Sequence, residues 1–302
     1  MTAALHIRAV STIAAGWSGV NLADPAPATA DPAWFDATAY LGRKGHRYLS
    51  TPTKYTMAAM QQSRAGFDGG QKAGVYIGSS SADTEHRRSI VQKLGQDADD
   101  LPGAASALSA SLSAPAGCIA KRYAVHGPVV TVAGGDDTAL VCLWSAAVAA
   151  ARGEISSICI GQVEHQPDDD ASDGAIIWLA STDTDQDALA TLTINGWQRL
   201  NATGYGEVVR LAESLPAPVT ILSARDTPAN EEIAHTLSEN HSGKPIQLIS
   251  TNDIEDLTVK DLRPFSLLTL MILQNYEGSI LVLSESGHLF NLTIAKMRTN
   301  HA

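Results

Sequence analysis

Residues 134–137, Gly-Gly-Asp-Asp, set two adjacent carboxylates at a turn between the apolar run VVTVA (129–133) and the uncharged run TALVCLWSAAVAAA (138–151). Strand, sharp turn and buried helix together form an elbow, a place where proteins often expose a nucleophile. Here the tip is Gly134 and Gly135, which carry no side chain. Asp136 and Asp137 suit acid–base chemistry if one of them is buried and held protonated. Alternatively, they complement the dipole of the helix that follows. Of the histidines, His288 in the segment SESGHLF is a catalytic candidate, whereas His126 before Gly127-Pro128 reads as a turn residue and His235 as a surface or packing residue. The three thiols Cys118, Cys142 and Cys159 lie in apolar or Ala/Gly-rich surroundings and read as reduced core cysteines, not as a disulfide frame or a zinc site. Arg43, Lys44 and Arg47 cluster within LGRKGHRYL (41–49), either as a solvated loop or as a docking face for an acidic partner. Gly74, Gly78 and Ser79–Ser81 look like a phosphate loop, but no Gly-Lys-Ser/Thr follows them.

These groups must be positioned by a core of adequate size, and 302 residues with 44% hydrophobic and 18% charged side chains can supply one. A net charge of −11 argues against non-specific nucleic-acid binding and against anionic membrane surfaces. MTAALHIRAVSTI lacks the basic and long apolar regions of a secretory leader, and LLTLMIL (267–273) is too short to span a bilayer. A reducing cytoplasm is therefore expected, and neither a metal nor a cofactor.

Periodicity predicts strands and helices in alternation. LHIRAVSTI opens as a strand, and NLADPAPATADPAWFD (21–36) is loop. Helices are expected over 51–67 with Pro52 in the first turn, over 84–98 and over 137–152 with Gly153 at the C-cap, and as short packed pieces in 101–117. KAGVYIGSSSA (72–82) reads as a strand then a turn, and a second buried strand is expected over 155–165. AIIWLAST (175–182) and ALATLTINGWQRL (188–200) alternate as strands and are expected to pair as a hairpin. Helix 204–215, strand 218–224, helix 230–240 and strand 245–250 follow. Next come a buried helix over 261–278 interrupted at Pro264, and a terminal hairpin over 279–297 turning at Glu285–His288. The acidic stretch 165–174 is the candidate internal boundary, dividing the chain into 1–165 and 166–302 around a shared core. The fold class is α/β, with mixed sheets covered by helices.

Carried by particular segments, this order resembles the β-ketoacyl synthase family of the thiolase fold. The most specific segment is PAGCIAKRYAVHGPVVTVAGGDDTALVCLWSAAVAAARGEISSICIGQVE (115–164), which follows the family's helix, Gly-Pro turn, strand, elbow, buried helix and next strand. LGRKGHRYLSTPTKYTMAAM is similar to its early basic loop and helix, and GVYIGSSSAD (74–83) to its Gly-rich strand-turn. SDGAIIWLAS (172–181) is similar to a later strand, and SESGHLFNLTI (284–294) to its terminal hairpin, with Asn291 in the place of the last Asn. The resemblance implies a layered αβαβα fold, truncated relative to full ketosynthases.

It also implies losses. Gly134 stands where the family has its acyl-accepting Cys, and glycine cannot form an acyl-enzyme. The family's two histidines have no counterpart after PVTILSA, where Arg225-Asp226-Thr227-Pro228 follow, or in ISTNDIEDLTVKDL (249–262). By resemblance, the chain is expected to be a non-catalytic, chain-length-factor-like subunit. It would pair as a heterodimer with an active β-ketoacyl synthase in fatty-acid or polyketide biosynthesis and shape its acyl tunnel. The acyl carrier protein would dock at Arg43, Lys44 and Arg47, and phosphopantetheine-bound chains would be the partner's substrates. The alternative expectation is a repurposed thiolase-fold enzyme, a dehydratase or cyclase acting on carrier-bound polyketide through Asp136, Asp137 or His288.

Overall fold

A computed structural model describes residues 3–14, 17–19, 34–63, 67–80, 84–96, 111–165, 173–184, 187–200, 205–224, 227–239, 244–250 and 263–296. In chain order the elements are β1 (Ala3–Ala14), β2 (Trp17–Gly19), α1 (Ala37–Leu41), α2 (Thr51–Gln62), β3 (Ala73–Ser79) and α3 (Thr84–Gln96). Then come α4 (Ala114–Arg122), β4 (Val129–Ala133), α5 (Thr138–Ala151), β5 (Ser157–Glu164) and β6 (Gly174–Ser181). The remainder is β7 (Ala190–Arg199), α6 (Tyr205–Ser214), β8 (Val219–Ser223), α7 (Thr227–Glu239), β9 (Ile246–Ser250), α8 (Arg263–Leu273), β10 (Gly278–Leu283) and β11 (His288–Lys296).

Ten strands hydrogen-bond in the order β4-β3-β5-β6-β1-β7-β11-β10-β8-β9, and β2 pairs with β1. The order is a repeat. Numbering each group of five strands from its own start, β1 with β3–β6 and β7–β11 both read 3-2-4-5-1. The antiparallel pairing of β1 with β7, from Ala3↔Ile194 to Ile7↔Ala190, joins the two groups. By strand order one group ends and the next begins between Ser181 and Ala190, one strand beyond the expected division at 165/166.

The expected hairpin of 175–182 with 188–200 does not form. β1 lies between β6 and β7 and pairs antiparallel with both. Each strand finds in β1 a long partner with apolar residues on both faces, and the pattern of two neighbouring strands cannot reveal a third from the far end of the chain. Pro264 also acts differently from expectation. It is the second residue of α8, where a missing N–H costs nothing, so it starts the helix rather than interrupting it.

Alternation along the strands separates the layers. Tyr76, Ile158, Ile160, Ile280 and Val282 point into one core filled by α5 and α8. Val75, Ile77 and Cys159 face α2 and α4 on the outside. Ile221, Leu281 and Leu283 face a third cluster under α6 and α7. The layers are helices, one half of the sheet, paired central helices, the other half of the sheet, helices. The central position explains why α5 carries no charge: Leu140, Cys142, Leu143, Ala146 and Ala147 are all buried. Small residues let it come close, and a Cβ at Gly78 of β3 would lie 2.7 Å from the Thr138 carbonyl carbon. Trp178 of β6, fully buried, stacks on Phe265 of α8 at 4.2 Å and donates its indole N–H to Thr269 Oγ1 at 2.8 Å. That contact ties the first group of strands to the central helix of the second.

Candidate functional site

The elbow sits at the C-terminal end of β4, beside the C-terminal end of β3, where the Gly134 N–H donates to the Ser79 carbonyl. Crevices at such strand ends are the usual binding positions in α/β sheets. A Cβ added at Gly134 would meet only Thr138 Cγ2, at 3.7 Å, so the tip has room for a side chain that the sequence does not supply.

Asp137 occupies the N-cap position of α5 but makes no capping hydrogen bond with its side chain. Its carboxylate reaches across to the β10–β11 turn. Oδ2 accepts from His288 Nδ1–H at 2.5 Å, from Ser286 Oγ–H at 2.7 Å and from Ser284 Oγ–H at 3.2 Å. Ser284 Oγ in turn accepts the His288 backbone N–H at 3.0 Å, which shapes the turn. The imidazole packs edge-on against Trp197 of β7, with ring centroids 5.0 Å apart. With Nδ1–H held by a buried carboxylate, the lone pair of the neutral ring lies on Nε2, which has no partner among the described residues. An imidazole oriented in this way can take a proton from a bound group.

Asp136 Oδ2 accepts the Glu285 backbone N–H at 3.2 Å, and its Oδ1 is buried without a partner among the described residues. Burial lifts its pKa to about 6, the Glu285 N–H opposes that shift, and the neighbouring charges of Asp137 and Glu285 add to it. The three residues singled out at the elbow and the hairpin, Asp136, Asp137 and His288, therefore belong to one cluster.

Ser284 and Ser286 were not anticipated. Their signal in the sequence is the Ser-Glu-Ser-Gly run just before His288, where alternate small hydroxyls ride on a tight turn. Asn291 lies on β11 and accepts from Asn195 Nδ2 at 3.2 Å. His126 is exposed in the segment between α4 and β4, and His235 is an exposed surface residue 3.7 Å from Glu239. Cys142 and Cys159 are fully buried, and burial pushes the Cys142 thiol up to about 12 and the Cys159 thiol higher still. Cys118 is half-buried on α4. Arg43, Lys44 and Arg47 are exposed between α1 and α2. Residues 225–226 and 251–262, where the histidine losses were read, and 166–172 of the acidic stretch lie outside the described residues. Among the described residues no group of three metal-binding side chains occurs, and no helix is long and apolar enough to cross a membrane.

Solved structures share this architecture. The ishigamide ketosynthase/chain length factor superposes with a TM-score of 0.69 at 16% identity, over 97% of this chain and 99% of that one. The fold is that of the ketosynthases. AntDE:AntF, a type II PKS acyl-carrier protein in complex with its ketosynthase bound to the hexaketide, gives 0.72 at 14% identity, over 97% and 99% of the two chains. Ketosynthase twelve of the bacillaene polyketide synthase from Bacillus amyloliquefaciens gives 0.66 at 13% identity, over 98% of this chain and 73% of that one. No family model and no curated protein matches the sequence.

Proposed function

We propose that the chain is a chain-length-factor-like subunit that pairs with an active β-ketoacyl synthase in polyketide or fatty-acid biosynthesis and shapes its acyl tunnel. The observation that carries this is the elbow with an open tip at Gly134. Acyl transfer through a covalent intermediate requires a thiolate at that point, and the nearest thiol along the helix, Cys142, is buried and held protonated. An inherited elbow without its nucleophile fits a subunit that lends surface to another chain's chemistry. Pairing has a ready surface. Among the described residues β4 is an edge strand, of β-branched and small residues, with one side unpaired, and Val129 is 43% exposed. Arg43, Lys44 and Arg47 offer exposed positive charge to an acidic carrier protein, with phosphopantetheine-bound chains processed by the partner. The cytoplasm, with its reduced thiols, is the compartment this role requires.

Co-expression with a Cys-containing ketosynthase, followed by light scattering, tests the proposal. A one-to-one complex is expected, whose condensation activity disappears when the partner's Cys is replaced. A stable lone monomer or homodimer that ignores the ketosynthase would overturn it.

One observation favours a second reading, an enzyme repurposed for dehydration or cyclisation of a carrier-bound polyketide. It is the Asp137–His288 pair at 2.5 Å with Nε2 free. Here His288 Nε2 would remove an acidic proton next to a thioester carbonyl, with Asp137 stabilising the imidazolium, and Asp136, near neutrality, would return a proton to a leaving hydroxyl. Turnover by the isolated protein that vanishes in both Asp137→Asn and His288→Ala, with unchanged circular dichroism, is the result this reading requires.

A further inference from the structure

A cleft of about 680 Å³ opens between the α1–α2 loop and the outer face of α4, away from the elbow. That volume falls in the range of small-molecule sites. Tyr40, Leu49 and Met57 give it an apolar lining, and Cys118 lines it too. Three cations converge on it from two segments: Lys44 from the loop, and Lys121 and Arg122 from the last turn of α4. Among its described lining residues there is no Asp or Glu, although the chain carries a net charge of −11. None of the three cations has an ion-pair partner among the described residues. Lys121 and Arg122 offset the C-terminal dipole of α4, but that accounts for neither Lys44 nor the convergence. His46 also lines the cleft, and its Nδ1 is buried without a partner among the described residues. Gly42 and Gly45, at φ +80° and +94°, bracket Lys44 and set the loop in a conformation that other residues rarely adopt.

Unpaired positive charge focused in a concavity is an anion site. One carboxylate would leave two of the three cations unanswered, whereas a phosphate monoester is a dianion with three acceptor oxygens. The apolar lining calls for a ligand with a hydrophobic body.

We propose that the cleft between the α1–α2 loop and α4 binds an organic phosphate, its phosphate held by Lys44, Lys121 and Arg122 and its apolar body lying on Tyr40, Leu49 and Met57. The site stands whether or not the chain pairs with a ketosynthase.

The protein contains its own reporter. Cys142 and Cys159 are fully buried, so Cys118 is the thiol that alkylates in the native state. Alkylation of the full chain by iodoacetamide, followed by intact mass, is measured with 1-naphthyl phosphate, 1-naphthoate and inorganic phosphate as probes. At about 1 mM and a Kd near ~0.2 mM, 1-naphthyl phosphate slows alkylation roughly sixfold. The carboxylate and inorganic phosphate slow it less than about twofold, since each lacks one half of the recognition. In the Lys121→Ala/Arg122→Ala variant, compared with and without ligand, the protection disappears. Should that variant fail to fold, about 0.5 M sodium chloride on the wild type does the same work by screening, and protection falls. Absence of protection by the aryl phosphate, or protection that survives both the variant and the salt, overturns the site. Equal protection by 1-naphthoate overturns the assignment to phosphate, and equal protection by inorganic phosphate overturns the apolar half.

Discussion

Asp136 and Asp137 are sequence neighbours in different electrostatic situations. Asp137 is anchored by His288, Ser284 and Ser286, while among the described residues Asp136 has one backbone donor and a buried oxygen with none. The native state raises the Asp136 pKa from 3.8 to about 6, so it binds the proton more tightly than the unfolded chain does. The stability cost is absent below the unfolded value, grows as pH rises from 3.8 to about 6, and is complete above that. Asp136→Asn keeps the acceptor for the Glu285 N–H and removes the ionisation. It is expected to stabilise the protein at pH 7.5 by on the order of 2 kcal/mol and to change little near pH 4. Thermal unfolding of both forms at the two pH values measures this, and a gain of equal size at both would contradict it. The acids themselves were legible as candidates, because two carboxylates at the start of an apolar helix are conspicuous. Their partner was not. His288 lies 151 residues from Asp137, and local spacing carries no information about such a pairing.

At the scale of elements, the elbow depends on how closely β3 and α5 approach. Gly78 and Gly134 lie on either side of it and make opposite demands. A Cβ at Gly78 would sit 2.7 Å from the Thr138 carbonyl carbon and 2.8 Å from the Ala139 nitrogen, both backbone atoms that cannot swing away. Gly78→Ala is expected to cost about 2–3 kcal/mol by overpacking, measured by chemical denaturation. Gly134→Cys has ordinary contacts and is expected to stay within about 1 kcal/mol of the wild type. Its thiol, at the start of α5, should alkylate faster than Cys118 because a helix N-terminus favours the thiolate. A buried, unreactive thiol at position 134 would show that the elbow is closed. Element types followed well from periodicity: α5, with its uncharged surface, and the alternating strands of the second group stand where the sequence placed them. Their pairing was less legible. The expected β6–β7 hairpin failed because β1 lies between them, and nothing in 175–200 encodes a strand that begins at residue 3.

For the whole molecule, the two groups of five strands enclose one core. Trp178 illustrates the sharing, since it belongs to the first group and is held by α8 of the second. Trp178→Ala is expected to cost about 4 kcal/mol and to lower a single unfolding transition rather than split it into two. The proposed association with a ketosynthase would use the other end of the sheet. Val129→Lys on the free edge of β4 is expected to leave folding within about 0.5 kcal/mol and to abolish the complex in light scattering, because a charged edge resists strand addition. An undiminished complex would move the interface elsewhere. The antiparallel seam between β1 and β7 has a different consequence. Each group closes on strands drawn wholly from its own side of residues 182–189, so the peptide link there is dispensable to the topology. A chain cut at that point and produced as two polypeptides, 1–184 and 185–302, should reassemble unaided, with the indole of Trp178 returning to the Thr269 hydroxyl as the sign that two molecules have become one fold.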